Sequence, residues 1–297
     1  MDSSKSLHSK GVLLASLSTI FIGFSIVVAS AVTKFVNPIV VTVLGYVVSV
    51  FFIFLMAKMI GERFQARELL RNFRRPLSEV IIFRCVLGQL ILLFGFSMTI
   101  AMRAVFMLRF EPVFVLIYSA ILLKEKVTAR KLGLIALLIL GGFIFITNLS
   151  PNFMQEIMLG DALVIIALAF LAYSYLPSSK ISKEINPTTM VITSNLIAAA
   201  IIIPLLVFIV PISAMALNAT GLAYIVVYAI LFYVFGVVLW FKALGSVRPW
   251  VVASLLALEP IAGALLAFFW LGQGLTTVQF IGGVIMIAAT YFIAKYK

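Results

Sequence analysis

One histidine, one cysteine and ten acidic residues are all the imidazole, thiol and carboxylate side chains that 297 residues provide. His8 lies in a polar N-terminal stretch, which leaves no basis for a histidine-based metal site or catalytic triad. Cys85 alone permits no internal disulfide and leaves the redox compartment open. The sequence has no phosphate-cradling glycine loop, no metal-ligand spacing and no nucleophile–base pair. Neither an enzyme nor an ATP-driven machine is indicated, and no cofactor or metal is expected. Charge is scarce as well, at 11% of residues, where a soluble domain carries about a quarter.

Apolar residues fill that space. They make up 64% of the chain, and mean hydropathy is +1.24. The bilayer is therefore the solvent. At roughly 20 residues per span plus short loops, about ten helices fit. The expected spans are 11–33, 38–58, 77–99, 103–123, 131–149, 160–178, 187–210, 221–241, 249–271 and 276–295. The first run is too long for a signal-peptide core and more spans follow it, so it is read as a span.

The charge is one-sided. Net charge is +12, which in a soluble chain would suggest nucleic acid; here the cations lie between apolar runs and report topology instead. Eighteen of the 22 basic residues fall in the termini and the even-numbered loops. The odd-numbered loops hold only Lys34 and Arg103. By the positive-inside rule both termini are cytoplasmic, and the plasma membrane is the default location. The longest connection, Lys58–Pro76, interleaves Phe64, Leu69, Leu70 and Phe73 with arginines. Two readings stand side by side: a short interfacial helix on an anionic leaflet, or a solvated basic loop that only sets orientation.

Two dipeptides recur across half the chain. Asn37-Pro38 returns as Asn186-Pro187, and Glu111-Pro112 as Glu259-Pro260. Gly11 and Gly160, Lys34 and Lys183, Thr128 and Thr276, and Gly133 and Gly282 keep nearly the same offset. Five spans per half is odd, so the second unit enters the membrane from the opposite side. The expected organisation is a cytoplasmic tail over 1–10, a five-helix repeat over 11–149, an external connector over 150–159 and a second repeat over 160–295. Inverted repeats of this kind build a site near mid-bilayer, with alternating access around it.

The residues in order are LRFEPVF, LKEKVT, Gly133 and Gly141-Gly142, then Gly160-Asp161-Ala162-Leu163, LALEP, LGQGLT and Gly282-Gly283. This series resembles the EamA-type proteins of the drug/metabolite transporter superfamily over nearly the whole chain. The resemblance implies ten helices in inverted five-plus-five repeats, a central cavity, and export or exchange of small metabolites. The chain departs from the family pattern in three places. The first span has Phe21-Ile22-Gly23-Phe24-Ser25 in place of a Trp-Gly stretch, Gly45-Tyr46 stand near a common arginine of the second span, and Gln273 replaces an acid.

Four charges fall inside the apolar runs. At 1.5 Å per residue, Glu111 lies about 20 Å from Lys124, Glu259 about 16 Å from Arg248, and Arg84 about 13 Å from Arg75. Arg109 is as deep as Glu111. An ionised group at a helix centre costs about 3 kcal/mol even on a lenient scale, so none should face lipid. Mutual pairing is one reading, with Pro112 and Pro260 kinking their helices and freeing carbonyls that an arginine satisfies. The other is a wet cavity, where an arginine holds a substrate carboxylate and a glutamate carries a coupling proton or binds an amine. Arg109 and Glu111 are about 200° apart on a helix, which directs Arg109 elsewhere, Glu259 being the natural partner. With Ala257 where Glu111 has an arginine, Glu259 is the acid expected to be functional. Tyr173, Tyr175, Gln89 and Asn195 add polar tips. Trp240, Trp250 and Trp270 lie near span ends, where an interfacial belt accounts for them.

The expected fold is all-α and membrane-integral. The expected function is export or exchange of small polar metabolites, amino acids or related zwitterions foremost, with protons as a coupling ion. Efflux of cationic or aromatic compounds and a non-transporting scaffold or enzyme with structural buried charges are the alternatives. Partners are a small-molecule substrate and the lipid bilayer, without nucleic acid; monomer and homodimer both stay open.

Overall fold

A computed structural model describes residues 2–99, 101–150, 159–211, 217–271 and 274–296. Every regular element among them is helical. Spans one and two are Asp2–Val32 and Pro38–Met59. Spans three and four are Arg74–Ser97 and Arg103–Leu122. Spans five to seven are Ala129–Thr147, Leu159–Ile181 and Pro187–Ile209. Span eight is Ala219–Leu244, and span ten is Thr277–Ala294. These nine are long and apolar enough to cross a membrane. Span nine is broken into Pro249–Leu256 and Glu259–Leu271. The polar N-terminal residues are helical too, since span one starts at Asp2 and not after Lys10.

The repeated Asn-Pro pair begins both spans two and seven but does different work. Asn37 caps its own helix, its side chain accepting from the Ile39 N–H at 2.9 Å, and Pro38 takes the first position where no N–H is needed. Asn186 makes no such cap. Its N–H donates to Gln65 Oε1 at 2.9 Å and its side-chain amide to the Arg63 carbonyl at 3.0 Å. The Thr188 hydroxyl adds a bond to Glu62. The long loop is thus pinned over the start of span seven. Its short helix, Ala66–Asn72, buries Leu69 and exposes Leu70; flanking it, Phe73 is buried and Phe64 exposed. Only half of its apolar residues are therefore available to an interface.

Packing follows a pseudo-two-fold pattern. Span two packs on span seven, four on nine and five on ten, each on its repeat mate. Span one packs on eight, and the equivalent pair, three on six, repeats that contact. His8 Nε2 lies 2.8 Å from the Ala294 carbonyl, so both ends of the chain share a face. Arg248 and Lys131 converge on Glu125 at that same face, at 3.8 and 3.4 Å. Arg103 meets Asp161 at 3.2 Å on the opposite one.

Two tryptophans contradict the belt expectation. Trp240 and Trp250 are fully buried: Trp240 lies under Arg84, and Trp250 packs on Tyr296 beneath Lys131. A span end serves equally as a membrane interface or as a packed floor, and position along the chain does not separate the two. The Trp270 and Gln273 side chains lie outside the described residues.

Spans five and ten meet through glycine. A Cβ on Gly282 would stand 2.5 Å from the Phe145 backbone nitrogen, and one on Gly141 2.9 Å from that of Met286. Backbone cannot yield as a side-chain tip can, so these positions set the helix separation. Gly282→Leu should destabilise the protein by roughly 1–3 kcal/mol through overpacking. Gly133→Ala, with nothing within 4 Å of its added carbon, should be neutral or slightly stabilising. Thermal unfolding in detergent, compared across the two variants, checks this.

Candidate functional site

A cavity with about 600 Å³ of unfilled space, open mouth included, lies at the centre of spans one, three, four, six, eight and nine. Its polar groups are Ser25, Arg84, Gln89, Glu111, Tyr175, Tyr228 and Glu259, set among Leu93, Phe96, Phe232 and Leu256. From the charges it runs past Ala29 and Phe96, toward the face opposite the termini. On the termini side Tyr175, Trp240 and Phe241 close it, with ring centroids 4.8 and 4.7 Å apart. Two of its walls are π-helical: Val80–Gly88 in span three and Ile230–Val237 in span eight. These segments are repeat mates, and each carries a residue that lines the cavity, Arg84 and Phe232. Such bulges change which side chains a helix presents and recur at functional sites.

The Glu-Pro pairs open half-helices at mid-span. Pro260 has no N–H to give the Leu256 carbonyl, and its ring crowds that carbonyl. Span nine accordingly breaks at Ala257–Leu258 and restarts at Glu259. Span four narrows to a 3-10 turn over Leu108–Phe110 and restarts at Glu111. Arg109, fully buried, repairs the break in span nine. Its Nη1 donates to the Leu256 carbonyl at 3.4 Å and to the Ala257 carbonyl, and its Nη2 to Glu259 Oε2 at 2.9 Å. Its Nε donates to the Val105 carbonyl at 3.1 Å. Gly142 makes room, since a Cβ there would be 3.1 Å from the Arg109 side chain.

This pairing separates the four charges. Arg109 and Glu259 neutralise one another. Glu111 and Arg84 are half-buried on the cavity wall, and among the described residues neither is in an ion pair. The Arg84 guanidinium stacks 3.8 Å over the Trp240 ring. Tyr175 stands beside Glu111. The acid left open is therefore Glu111, the reverse of what the neighbouring arginine in sequence suggests: Arg109 points away from Glu111 and crosses to the other repeat.

The remaining candidates divide. Gln89 reaches the Tyr228 hydroxyl at 2.9 Å inside the cavity. Asn195 does not reach the cavity; its amide donates to Ser49 at 2.9 Å, and it lines a smaller polar space behind Arg84 with Tyr46, Cys85 and Tyr233. Tyr173 faces the opposite way from Tyr175, packing edge-on against Phe83 and Tyr118 at 4.7 and 5.7 Å. Tyr228 and Ser25 are cavity residues that sequence reasoning missed; each is a polar tip in an apolar run, with nothing in composition to set it apart from the others. Among the described residues no three His, Cys, Asp or Glu side chains gather in a way that could hold a metal.

Removing Arg109 leaves Glu259 as an uncompensated buried charge, which typically costs about 3–5 kcal/mol. Arg109→Met should therefore lower the thermal unfolding midpoint in detergent far more than Arg84→Gln. Adding Glu259→Gln to Arg109→Met should recover part of that loss, because the two residues are coupled. Equal midpoints for the single and double variants would remove the pair from its structural role.

The EamA-like transporter family matches residues 9–147 and again 158–295. The "Probable amino-acid metabolite efflux pump" of Escherichia coli (strain K12) is 26% identical over 196 residues, 62% of this chain and 64% of that protein. The match thus spans less than two thirds of the relative's length. A solved crystal structure aligns over 99% of this chain and 97% of its own, with a TM-score of 0.68 at 13% identity. That likeness speaks to the fold alone. Two successive matches, one per half of a ten-helix chain, place the protein in a family: it belongs to the EamA-like transporter family and is a multi-pass membrane protein.

Proposed function

We propose that the protein exports or exchanges amino acids or related zwitterions by alternating access, without ATP. One observation carries this reading: the cavity presents one cation, Arg84, and one acid, Glu111, neither spent on an ion pair. A zwitterion supplies the complement to both. Arg84, held flat on Trp240, offers a fork of donors to a carboxylate. Glu111 and the Tyr175 hydroxyl receive the ammonium. Phe96, Phe232 and Tyr228 suit an apolar or aromatic side chain better than a charged one. A cation without a carboxylate would face Arg84 unpaired, which disfavours efflux of simple cationic compounds. The name of the Escherichia coli relative points to the same substrate class. A non-transporting scaffold would have no need of a common space walled by both repeats.

With the basic loops cytoplasmic, as the positive-inside rule requires, the cavity faces outward, and the plasma membrane is the proposed location. Glu111 is the proposed proton carrier. It opens a half-helix in contact with the cavity, so it gains and loses a proton without breaking the Arg109–Glu259 pair.

Counterflow into proteoliposomes with an amino-acid panel, with and without a pH gradient, tests the reading. Wild-type protein should exchange at least one zwitterion, and Arg84→Gln should lose that exchange. Glu111→Gln should lose gradient-driven uptake and weaken exchange without abolishing it, since the Tyr175 hydroxyl still receives the ammonium. A panel in which no solute moves would sink the proposal, and unchanged proton dependence in Glu111→Gln would remove the proton from Glu111.

A further inference from the structure

Tyr173, which the cavity leaves unused, opens onto a second space. A groove with about 1150 Å³ of unfilled volume, mouth included, lies on the termini-bearing face where spans three, four and six come together. Its rim carries Arg71, Arg74, Arg75 and Lys180, and its floor is Leu122, Leu123, Leu176 and Pro177. Arg75 is spent on Glu79, at 3.0 Å. Arg71 donates to the neutral Asn72 side chain, at 3.2 Å, and among the described residues none of Arg71, Arg74 and Lys180 is in an ion pair. Three cations thus remain on the rim. Below them Leu122 and Leu123 are about half exposed, at 51% and 50%. The repeat-equivalent positions of Arg71, Arg74 and Arg75 are Thr220, Ala223 and Tyr224, so the other repeat has no such rim.

Cations at the level where spans begin and end, directly above an apolar floor between helices, match one kind of molecule: an amphiphile with an anionic head and acyl tails. We propose that this groove binds an anionic phospholipid of the termini-side leaflet. The phosphodiester lies among Arg71, Arg74 and Lys180, a chain lies over Leu122, Leu123 and Leu176, and Tyr173 sits between head and chain as an interfacial tyrosine does. A soluble anion would leave the leucines in water, and an acidic protein segment has no reason to enter the lipid-facing perimeter. Orientation by charge alone would be served by loop cations anywhere. Arg63, Arg67 and Lys183 lie on the same face outside the groove and are exposed, which makes them the matched control.

The test is native mass spectrometry of the full chain in detergent, titrated with phosphatidylglycerol or phosphatidylcholine of identical chains. Wild-type protein should keep bound phosphatidylglycerol under activation that strips phosphatidylcholine. Arg71→Gln/Arg74→Gln/Lys180→Gln should weaken phosphatidylglycerol binding by about a hundredfold, each surface cation contributing roughly a factor of five. Arg63→Gln/Arg67→Gln/Lys183→Gln should bind as wild type, and excess inorganic phosphate should not displace the lipid. The exposed rim predicts an unchanged unfolding midpoint without lipid; should the triple variant unfold, Arg74→Gln and Lys180→Gln singly should each show a partial loss. Equal binding by the rim variants, an equal loss in the control variant, or displacement by phosphate would overturn the site.

Discussion

In hydrocarbon every backbone carbonyl must find a donor inside the protein, and that constraint organises the centre of this molecule. Pro260 strips the Leu256 carbonyl of its partner at mid-span, where water cannot be assumed. Arg109 reaches across from span four to cover that carbonyl and the next, and ends on Glu259. The break is useful because it starts a new half-helix at the site. Glu259 and Glu111 each occupy the first turn of such a half-helix, where the positive end of the helix dipole favours a carboxylate. A continuous helix would offer neither the free N–H groups nor the dipole end. The acids, the kinks and the buried arginine are one arrangement.

That arrangement requires the repeats to differ. Counted at the Glu-Pro offset, the equivalent of Arg109 is Ala257, and it is the Ala257 carbonyl that Arg109 contacts. A residue touching its own repeat mate lies next to the pseudo-symmetry axis. Two arginines there would place two guanidiniums in one space with one set of acceptors between them. A single arginine therefore serves both repeats, and one glutamate is consumed by it while the other is left open. The Asn-Pro pair shows the same logic at the periphery, with Asn37 capping its own helix and Asn186 receiving the long loop that only the first repeat has. The cavity is built on symmetric walls and asymmetric charges.

The architecture was legible because its signals are additive along the chain. Hydropathy accumulates over each span, cations alternate loop by loop, and proline dipeptides mark helix starts and breaks at a constant offset. The charged core was legible in membership but not in partnership. Hydropathy gives depth, and depth put Arg84, Arg109, Glu111 and Glu259 together. Facing depends on rotation about the helix axis, and the 3-10 turn before Glu111 and the π-helical stretch around Arg84 both alter that rotation. No residue type announces a π segment, since it shifts hydrogen-bond register without changing composition. Tyr173 and Tyr175 illustrate the cost: two positions apart they take opposite faces, and only one meets the cavity. Trp240 departs from the belt expectation for a related reason, since its partner Arg84 comes from a distant part of the sequence.

The open pair has an energetic consequence. A stacked guanidinium gains about 2 kcal/mol from an aromatic face when desolvated, less than the several kcal/mol that removing an ion from water costs. An ionised Arg84 or Glu111 would therefore need more than an aromatic face to offset its desolvation. Whatever enters must return the hydrogen bonds and countercharges that it displaces. An apolar solute returns none, and a simple cation or anion answers one group while leaving the other stripped of water. A solute with both charges answers both. Closing the cavity around a mismatched solute would carry the full desolvation cost of the unanswered group. Under the proposed function, selectivity would arise at closure, when the mouth past Ala29 and Phe96 is sealed and the water around the unanswered group must leave.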